Sequence, residues 1–117
     1  MKQYIDKCLS RLEEGYTFLK NYELDGEDGS KKNIEYSYIF SKNTKYMIVI
    51  ANSSAETKGI YVTLYDSERR KITSSYVNGK FYPIISYTCS ATGIYYMTFT
   101  FENTKDYCAA SVLAFKR

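Results

Sequence analysis

The chain has 117 residues, of which 44% are hydrophobic and 25% are charged, and its formal net charge is +3. This length and composition predict a single globular domain over residues 1–117 and exclude a disordered chain. The chain contains no histidine, which excludes Ser-His-Asp and Cys-His catalytic triads and HExxH zinc sites. Its 14 tyrosines favour β-sheet, because tyrosine fits a half-buried pleated surface.

The first fourteen residues predict an amphipathic helix. Apolar side chains recur there at helical spacing, at Met1, Ile5, Cys8, Leu9 and Leu12. Gly15 predicts the end of this helix. Because the apolar stripe needs a partner surface, we expect the helix over residues 1–14 to pack on the rest of the domain.

After Gly15 the hydrophobic period changes from about 3.6 residues to 2, which predicts strands and turns. The predicted strands are, in chain order, YTFLKNYEL, NIEYSYIF, YMIVIA, IYVTLY, KITSSY, FYPIISYTC, IYYMTFTF and YCAASVLAF. YMIVIA is apolar on both faces, whereas KITSSY is polar and is typical of an edge strand. Asn78 and Gly79 predict a type I′ hairpin, and Pro83 predicts an edge or a bulge.

Eight strands in residues 16–115, with a turn signal about every eight to twelve residues, predict an antiparallel β-sandwich. No further helical pattern follows the first fourteen residues. The predicted fold is therefore mainly β: an eight-stranded, jelly-roll-like sandwich with one N-terminal α-helix packed on it.

Three segments resemble the bacterial pre-peptidase C-terminal domain, an eight-stranded jelly-roll module of exported proteins. They are YSYIFSKNTKYMIVI, IYVTLYDSERRKITSS and ATGIYYMTFTF, within residues 33–115. Asn43 and Arg69 replace glycines that are usual in the turns of that family, and the N-terminal helix is not part of the common module. The resemblance implies an extracytoplasmic, non-catalytic domain and supplies no ligand residue.

Acidic residues are concentrated in the loop after the first predicted strand, at Glu23, Asp25, Glu27 and Asp28. Two carboxylates could cleave a glycoside, but they would have to face each other across a cleft, and these lie in one loop. Asp25, Glu27 and Asp28 could also bind Ca²⁺, although the order of an EF-hand is not met and lysines follow. The simpler interpretation is a solvated hairpin loop without metal or cofactor.

Two surface features could bind a macromolecule. Arg69, Arg70 and Lys71 suggest a nucleic-acid surface, but charge on a turn and an edge strand is usual for solubility, so we expect no nucleic acid. Tyr61, Tyr65 and Tyr96 lie on the face opposite the predicted core and could bind a carbohydrate or a protein. Cross-strand packing of these tyrosines, or cover for the helix, is the alternative.

The cysteines suggest one disulfide. If the last three strands are consecutive neighbours, Cys89 and Cys108 lie about 20 Å apart and cannot pair. Cys8, on the apolar stripe of the helix, could then bond to Cys108 and tie the helix to the last strand. Three reduced, buried cysteines are the equal alternative.

These features together predict a non-catalytic binding module that is secreted or periplasmic, with its signal peptide absent from this chain. The longest apolar run, residues 46–51, is too short to span a membrane. The first alternative is an assembly module that acts through the KITSSY edge. The second is a small hydrolase that uses the acidic loop.

Overall fold

Residues 2–117, which the computed structural model describes, form one α-helix and ten β-strands. The helix α1 is Lys2–Ser10, and the strands are β1 (Thr17–Asp25), β2 (Asn33–Phe40), β3 (Lys45–Ala51), β4 (Ile60–Tyr65), β5 (Lys71–Ser74), β6 (Tyr76–Val77), β7 (Lys80–Phe81), β8 (Ile84–Thr88), β9 (Gly93–Phe101) and β10 (Cys108–Lys116). A short 3-10 turn, Glu27–Gly29, lies between β1 and β2.

Eight of the strands form two four-stranded antiparallel sheets. Sheet A has the order β1-β10-β3-β8 and sheet B the order β2-β9-β4-β5. The chain crosses repeatedly from one sheet to the other, which is the arrangement of a jelly roll. The predicted β-sandwich is confirmed, but the count is ten strands because β6 and β7 form a separate hairpin. Asn78 and Gly79 have φ of 51° and 78°, as the predicted type I′ turn requires.

The core lies between the two sheets, and alternation along each strand supplies it. On β3, Tyr46, Ile48 and Ile50 belong to this core. The residues that alternate with them, Met47, Val49 and Ala51, belong to a second cluster on the outer face of sheet A. The prediction that this strand is apolar on both faces is therefore confirmed, because the helix covers its outer face.

Helix α1 packs on β3 and β10 of sheet A. Cys8 is fully buried there, with Ile5 and Leu12 packed around it. Two corrections apply to the predicted helix. It ends at Ser10, and the chain then tightens through bonds from Arg11 N to Cys8 O and from Leu12 N to Leu9 O. In addition, Leu9, which was predicted to lie on the apolar stripe, is 40% exposed.

The predicted position Met1 lies outside the described residues. None of the helices in residues 2–117 has the length and hydropathy needed to span a bilayer.

The segment KITSSY forms the edge of sheet B, as predicted, but only Lys71–Ser74 is strand. The strand ends before Ser75, whose side chain points into the core. There the N–H of Val62 donates to Ser75 Oγ at 2.9 Å and not to a backbone carbonyl of the edge strand. Pro83 precedes β8, which is an edge strand of sheet A. Proline has no backbone N–H, and because Pro83 lies at an edge strand, the missing donor interrupts no pairing in the interior of the sheet.

Candidate functional site

The outer face of sheet B carries every second residue of β2, β9, β4 and β5. Strand pairing arranges these residues in four rows across the sheet, which are Ile39–Ile94, Ser37–Tyr96–Tyr65–Lys71, Glu35–Thr98–Thr63–Ser74 and Asn33–Thr100–Tyr61. Helix α1 packs on the other sheet, so this face is not covered by it. All three tyrosines predicted to bind a ligand lie on this face.

The tyrosines do not form one flat platform. Tyr65 and Tyr96 are direct cross-strand partners. Tyr61 lies four residues away along β4, about 13 Å at the usual rise of a strand. The Tyr61 ring stacks on Tyr76 at 5.1 Å, with Phe81 of the same hairpin at 6.4 Å. Tyr61 therefore fastens the hairpin β6–β7 to the sheet, and its role in ligand binding stays a prediction.

Arg69 lies on this face, over the Tyr96 ring and beside Glu35. It belongs to the turn between β4 and β5, and its φ is +61°. The guanidinium carbon is 4.0 Å from the centre of the Tyr96 ring. Nη1 donates to Glu35 Oε1 at 2.6 Å, and Nη2 donates to Glu35 Oε2 at 3.4 Å. This contact with Glu35 raises the pKa of Arg69. A side chain from the turn thus reaches across β9 to the edge strand β2.

The turn that carries Arg69 is fixed by Asp66. The Asp66 carboxylate accepts the backbone N–H groups of Glu68 and Arg70, each at 2.9 Å, and Arg69 N donates to Asp66 O at 2.9 Å. The bond from the Arg70 backbone is the main cause that lowers the pKa of Asp66. The turn therefore presents Arg69 in one defined direction.

The basic run 69–71 does not form a free positive strip. Arg69 is paired with Glu35, and Arg70 contacts both Asp66 Oδ2 at 3.0 Å and Glu68 Oε2 at 2.9 Å. Two of the three positive charges are therefore compensated locally. This leaves little of the uncompensated charge that phosphate binding uses.

Sequence reasoning missed three residues of this face, Ile39, Ile94 and Glu35. Ile39 and Ile94 are cross-strand partners and are 63% and 45% exposed. With Ser37 and Tyr38 they line an open apolar depression at the edge of sheet B. The signal was present, since the alternation that places Phe40 in the core places Ile39 on the outer face. Glu35, the partner of Arg69, could not be found because the two residues lie 34 positions apart.

The acidic loop is organised by its own backbone. Asp25 Oδ1 accepts the N–H of Glu27 at 2.9 Å, and Glu27 and Asp28 have φ of 50° and 55°. Within residues 2–117 no three His, Cys, Asp or Glu side chains are grouped so that they could hold a metal ion. Calcium binding by Asp25, Glu27 and Asp28 therefore stays a prediction, and no close grouping of acidic side chains supports it.

The cysteine predictions need correction. All three cysteines are free thiols, so the predicted bond between Cys8 and Cys108 is not formed. Cys8 Sγ instead approaches the carbonyl oxygens of Val49 and Ala110 at 3.7 and 3.6 Å, whereas Cys108 is exposed at the start of β10.

The assumed strand order was also wrong, because β9 lies in sheet B while β3 separates β8 from β10 in sheet A. Cys89 and Cys108 still lie at opposite ends of the sandwich, because Thr88 pairs with Lys45, whose other neighbour is Lys116 at the far end of β10.

We expect Cys108 to react with iodoacetamide at pH 8 while Cys8 and Cys89 stay unmodified. Burial raises the pKa of Cys8 from 9.0 to about 12, so little thiolate forms while the chain is folded. For the same reason, the stability contributed by this neutral thiol is present below pH 9 and is lost as pH rises towards 12. Peptide mapping by mass spectrometry, with a urea-unfolded sample as control, measures the reactivity. Modification of Cys8 as fast as Cys108 would contradict this packing.

Comparison with known proteins supports the fold and leaves the family open. No family model matches the chain, and no curated protein sequence matches it. The structure is similar to the crystal structure of Aeromonas hydrophila PliG, a periplasmic lysozyme inhibitor of g-type lysozyme, with a TM-score of 0.58, 11% sequence identity and coverage of 87% of each chain. At this identity the similarity shows the shared β-rich fold. The resemblance to the pre-peptidase C-terminal domain stays a prediction.

Proposed function

We propose that this chain is an exported, non-catalytic protein-binding module whose partner meets the outer face of sheet B around Arg69. The observation that carries the proposal is the ordered side chain of Arg69, which lies on the Tyr96 ring and is bonded to Glu35. The φ of Arg69, +61°, is the left-handed conformation that glycine and asparagine adopt most readily, and Glu27, Asp28 and Thr57 share this conformation in other turns. The backbone of the turn therefore aims Arg69, and the contacts of its side chain indicate the surface.

The side chain of Arg69 is organised before any partner arrives. It stacks on Tyr96 and is fastened at both terminal nitrogens by Glu35. A side chain that is already ordered loses little conformational entropy on binding. Arginine and tyrosine are also the residue types enriched among those that dominate the energy of protein interfaces. Arg69 and Tyr96 are therefore suited to be the centre of an interface.

The geometry favours a protein over a carbohydrate. A sugar ring stacks on an open aromatic face, but Arg69 lies on the Tyr96 ring and the Tyr61 ring stacks on Tyr76. Beside them, Ile39 and Ile94 expose aliphatic surface, which an apolar interface core buries well. Carbohydrate is the alternative partner, and binding to glycans that depends on Tyr96 but not on Arg69 would favour it.

The structural similarity suggests a class of partner. The Aeromonas hydrophila protein is a periplasmic inhibitor of g-type lysozyme. We infer that the present chain also binds a lysozyme outside the cytoplasm. The implication of the pre-peptidase C-terminal resemblance, an extracytoplasmic and non-catalytic domain, agrees with this inference.

Substitution of Arg69 by asparagine is the sharpest test. Asparagine tolerates positive φ, so R69N keeps the turn while it removes the guanidinium from Tyr96. We expect R69N to weaken binding to g-type lysozyme at least about tenfold, or about 1.4 kcal/mol, with unchanged thermal stability. Biolayer interferometry measures the affinity, and clearance of a cell-wall suspension measures inhibition.

The matched control is R70N, the same change at the next residue of the turn. Arg70 has neither positive φ nor a ring contact, so its loss should change binding less than about twofold. Equal effects of R69N and R70N would contradict an Arg69-centred surface. Absence of binding to g-type lysozyme would reject the partner class, and hydrolysis that is lost in Asp25→Asn would reject the non-catalytic assignment.

A further inference from the structure

Three of the four edge strands of the sandwich carry features that block pairing with another strand. β5 has four residues, and its pairing is interrupted by an irregularity beside Tyr65. β8 has five residues and follows Pro83. β1 has a register shift between Phe18 and Lys20. Short length, proline and bulges are the usual means by which sheets avoid association at their edges.

Strand β2, the remaining edge of sheet B, has none of these features. All eight of its residues pair with β9 without a register shift. It contains no proline and one charged residue, Glu35, which is neutralised by Arg69. Near its end Ile39 is 63% exposed. The KITSSY edge, which the sequence favoured for assembly, is shorter and irregular, so β2 is the better template for strand addition.

The pairing pattern shows which backbone groups of β2 are free. Phe101 N donates to Lys32 O at 2.9 Å, so Lys32 and Phe101 form a hydrogen-bonded pair. Hydrogen-bonded and non-bonded pairs alternate along an antiparallel ladder. The even-numbered residues of β2 therefore bond to β9. The N–H and C=O groups that point away from the sheet belong to Asn33, Glu35, Ser37 and Ile39.

We propose that β2 pairs with β2 of a second copy of this chain, antiparallel about a two-fold axis, to form one continuous eight-stranded sheet. The free groups of the two strands meet in the register centred on Tyr36. Glu35 then lies opposite Ser37 of the second copy, and Asn33 lies opposite Ile39. This register pairs all four free residues of each strand and supplies up to about eight hydrogen bonds.

The charge distribution identifies a second copy as the occupant. Like charges opposite each other destabilise strand pairing, but the register centred on Tyr36 brings no two charged residues of β2 together. Glu35 is also bonded to Arg69 of its own copy, so the edge meets its equivalent as a nearly neutral strand. The proposed dimer does not depend on the proposed function. It would place the two Arg69 surfaces on one face of a single sheet.

Substitution of Ser37 by proline tests the proposal. The Ser37 N–H points away from β9, so S37P removes no bond within the monomer while it removes bonds of the dimer and blocks the approach of a strand. The matched control is N21P on β1. Gly26 N donates to Tyr107 O, so by the same alternation the Asn21 N–H points away from β10.

We expect wild type and N21P to associate reversibly to dimers in sedimentation velocity between about 1 µM and about 1 mM, and S37P to associate at least about tenfold more weakly. A wild-type chain that stays monomeric over this range would overturn the proposal, as would an S37P variant that dimerises like the wild type. If S37P does not fold, hydrogen exchange of the wild type decides. The amides of Glu35 and Ser37 should become more protected as concentration rises, and unchanged exchange would refute the β2 interface.

Discussion

Phe40→Ala is expected to lower the free energy of unfolding by about 3–5 kcal/mol, the range for loss of a fully buried aromatic side chain. Phe40 is completely buried and lies between two other rings. Its ring stacks on Tyr46 at 3.8 Å and 9°, and on Tyr95 at 4.9 Å and 16°. The substitution would remove the middle ring of a stack that joins β3 of sheet A to β2 and β9 of sheet B. Urea unfolding followed by circular dichroism measures the loss.

Phe18→Ala is the matched control, because it makes the same chemical change where the ring is 45% exposed. Partial exposure reduces the apolar area that the native state removes from water, so we expect a loss of about 1 kcal/mol or less. If the two variants were destabilised equally, the Phe40 stack would not be the junction between the sheets. A protein of typical stability, about 5–15 kcal/mol, would still fold after the Phe40 change but would unfold at a lower urea concentration.

Gly59→Ala is expected to destabilise the fold by about 2–4 kcal/mol through two separate effects. Gly59 has φ of +95°, which alanine adopts only with strain. A Cβ at this position would also lie 2.7 Å from Thr104 Cβ and 2.9 Å from Thr104 Oγ1. Thr104 belongs to the connection between β9 and β10, so the added methyl group would push this connection away from the start of β4. Thermal unfolding measures the combined loss.

Gly79→Ala separates the two effects. Gly79 has a similar φ of +78°, but a Cβ there would meet no atom within 4 Å. This control therefore carries only the backbone cost, about 1–2 kcal/mol. The difference between the two variants measures the contact with Thr104. A Gly59 variant no less stable than the Gly79 variant would indicate that the connection moves aside without cost.

The unusual residue at position 69 was visible in the sequence, but the contacts of its side chain were not. An arginine replaced a glycine that is usual in a resembling family, and the surrounding basic run suggested a charged, solvated turn. The structure gives the residue a specific position, because a side chain in the turn reaches across Tyr96 to Glu35. The order of this side chain, and not its backbone conformation, which Glu27, Asp28 and Thr57 share, distinguishes Arg69 from the other turn residues.

The cysteine prediction depended on an assumption that local pattern cannot test. Consecutive strands are often neighbours in a sheet, but in this fold β8, β9 and β10 are not. Cys8 lies beside Ala110, two residues from Cys108 along β10, so the prediction placed the helix on the correct strand. The bond itself is not formed: the Cys8 thiol is buried between the helix and the sheet, whereas Cys108 is exposed.

The amino-acid sequence by itself determined the eight strands of the two sheets, the face that most of their residues occupy and the sandwich class. The reason is that side chains alternate with period 2 whatever lies next to the strand. It also showed that YMIVIA is covered on both faces, because no exposed strand face carries so many apolar residues. Only the tertiary structure decided which strands are neighbours. Alternation assigns a side chain to a face but not to a partner. The contact of Arg69 with Tyr96 and Glu35 therefore arises because β2, β9 and β4, which are distant in the chain, are neighbours in sheet B.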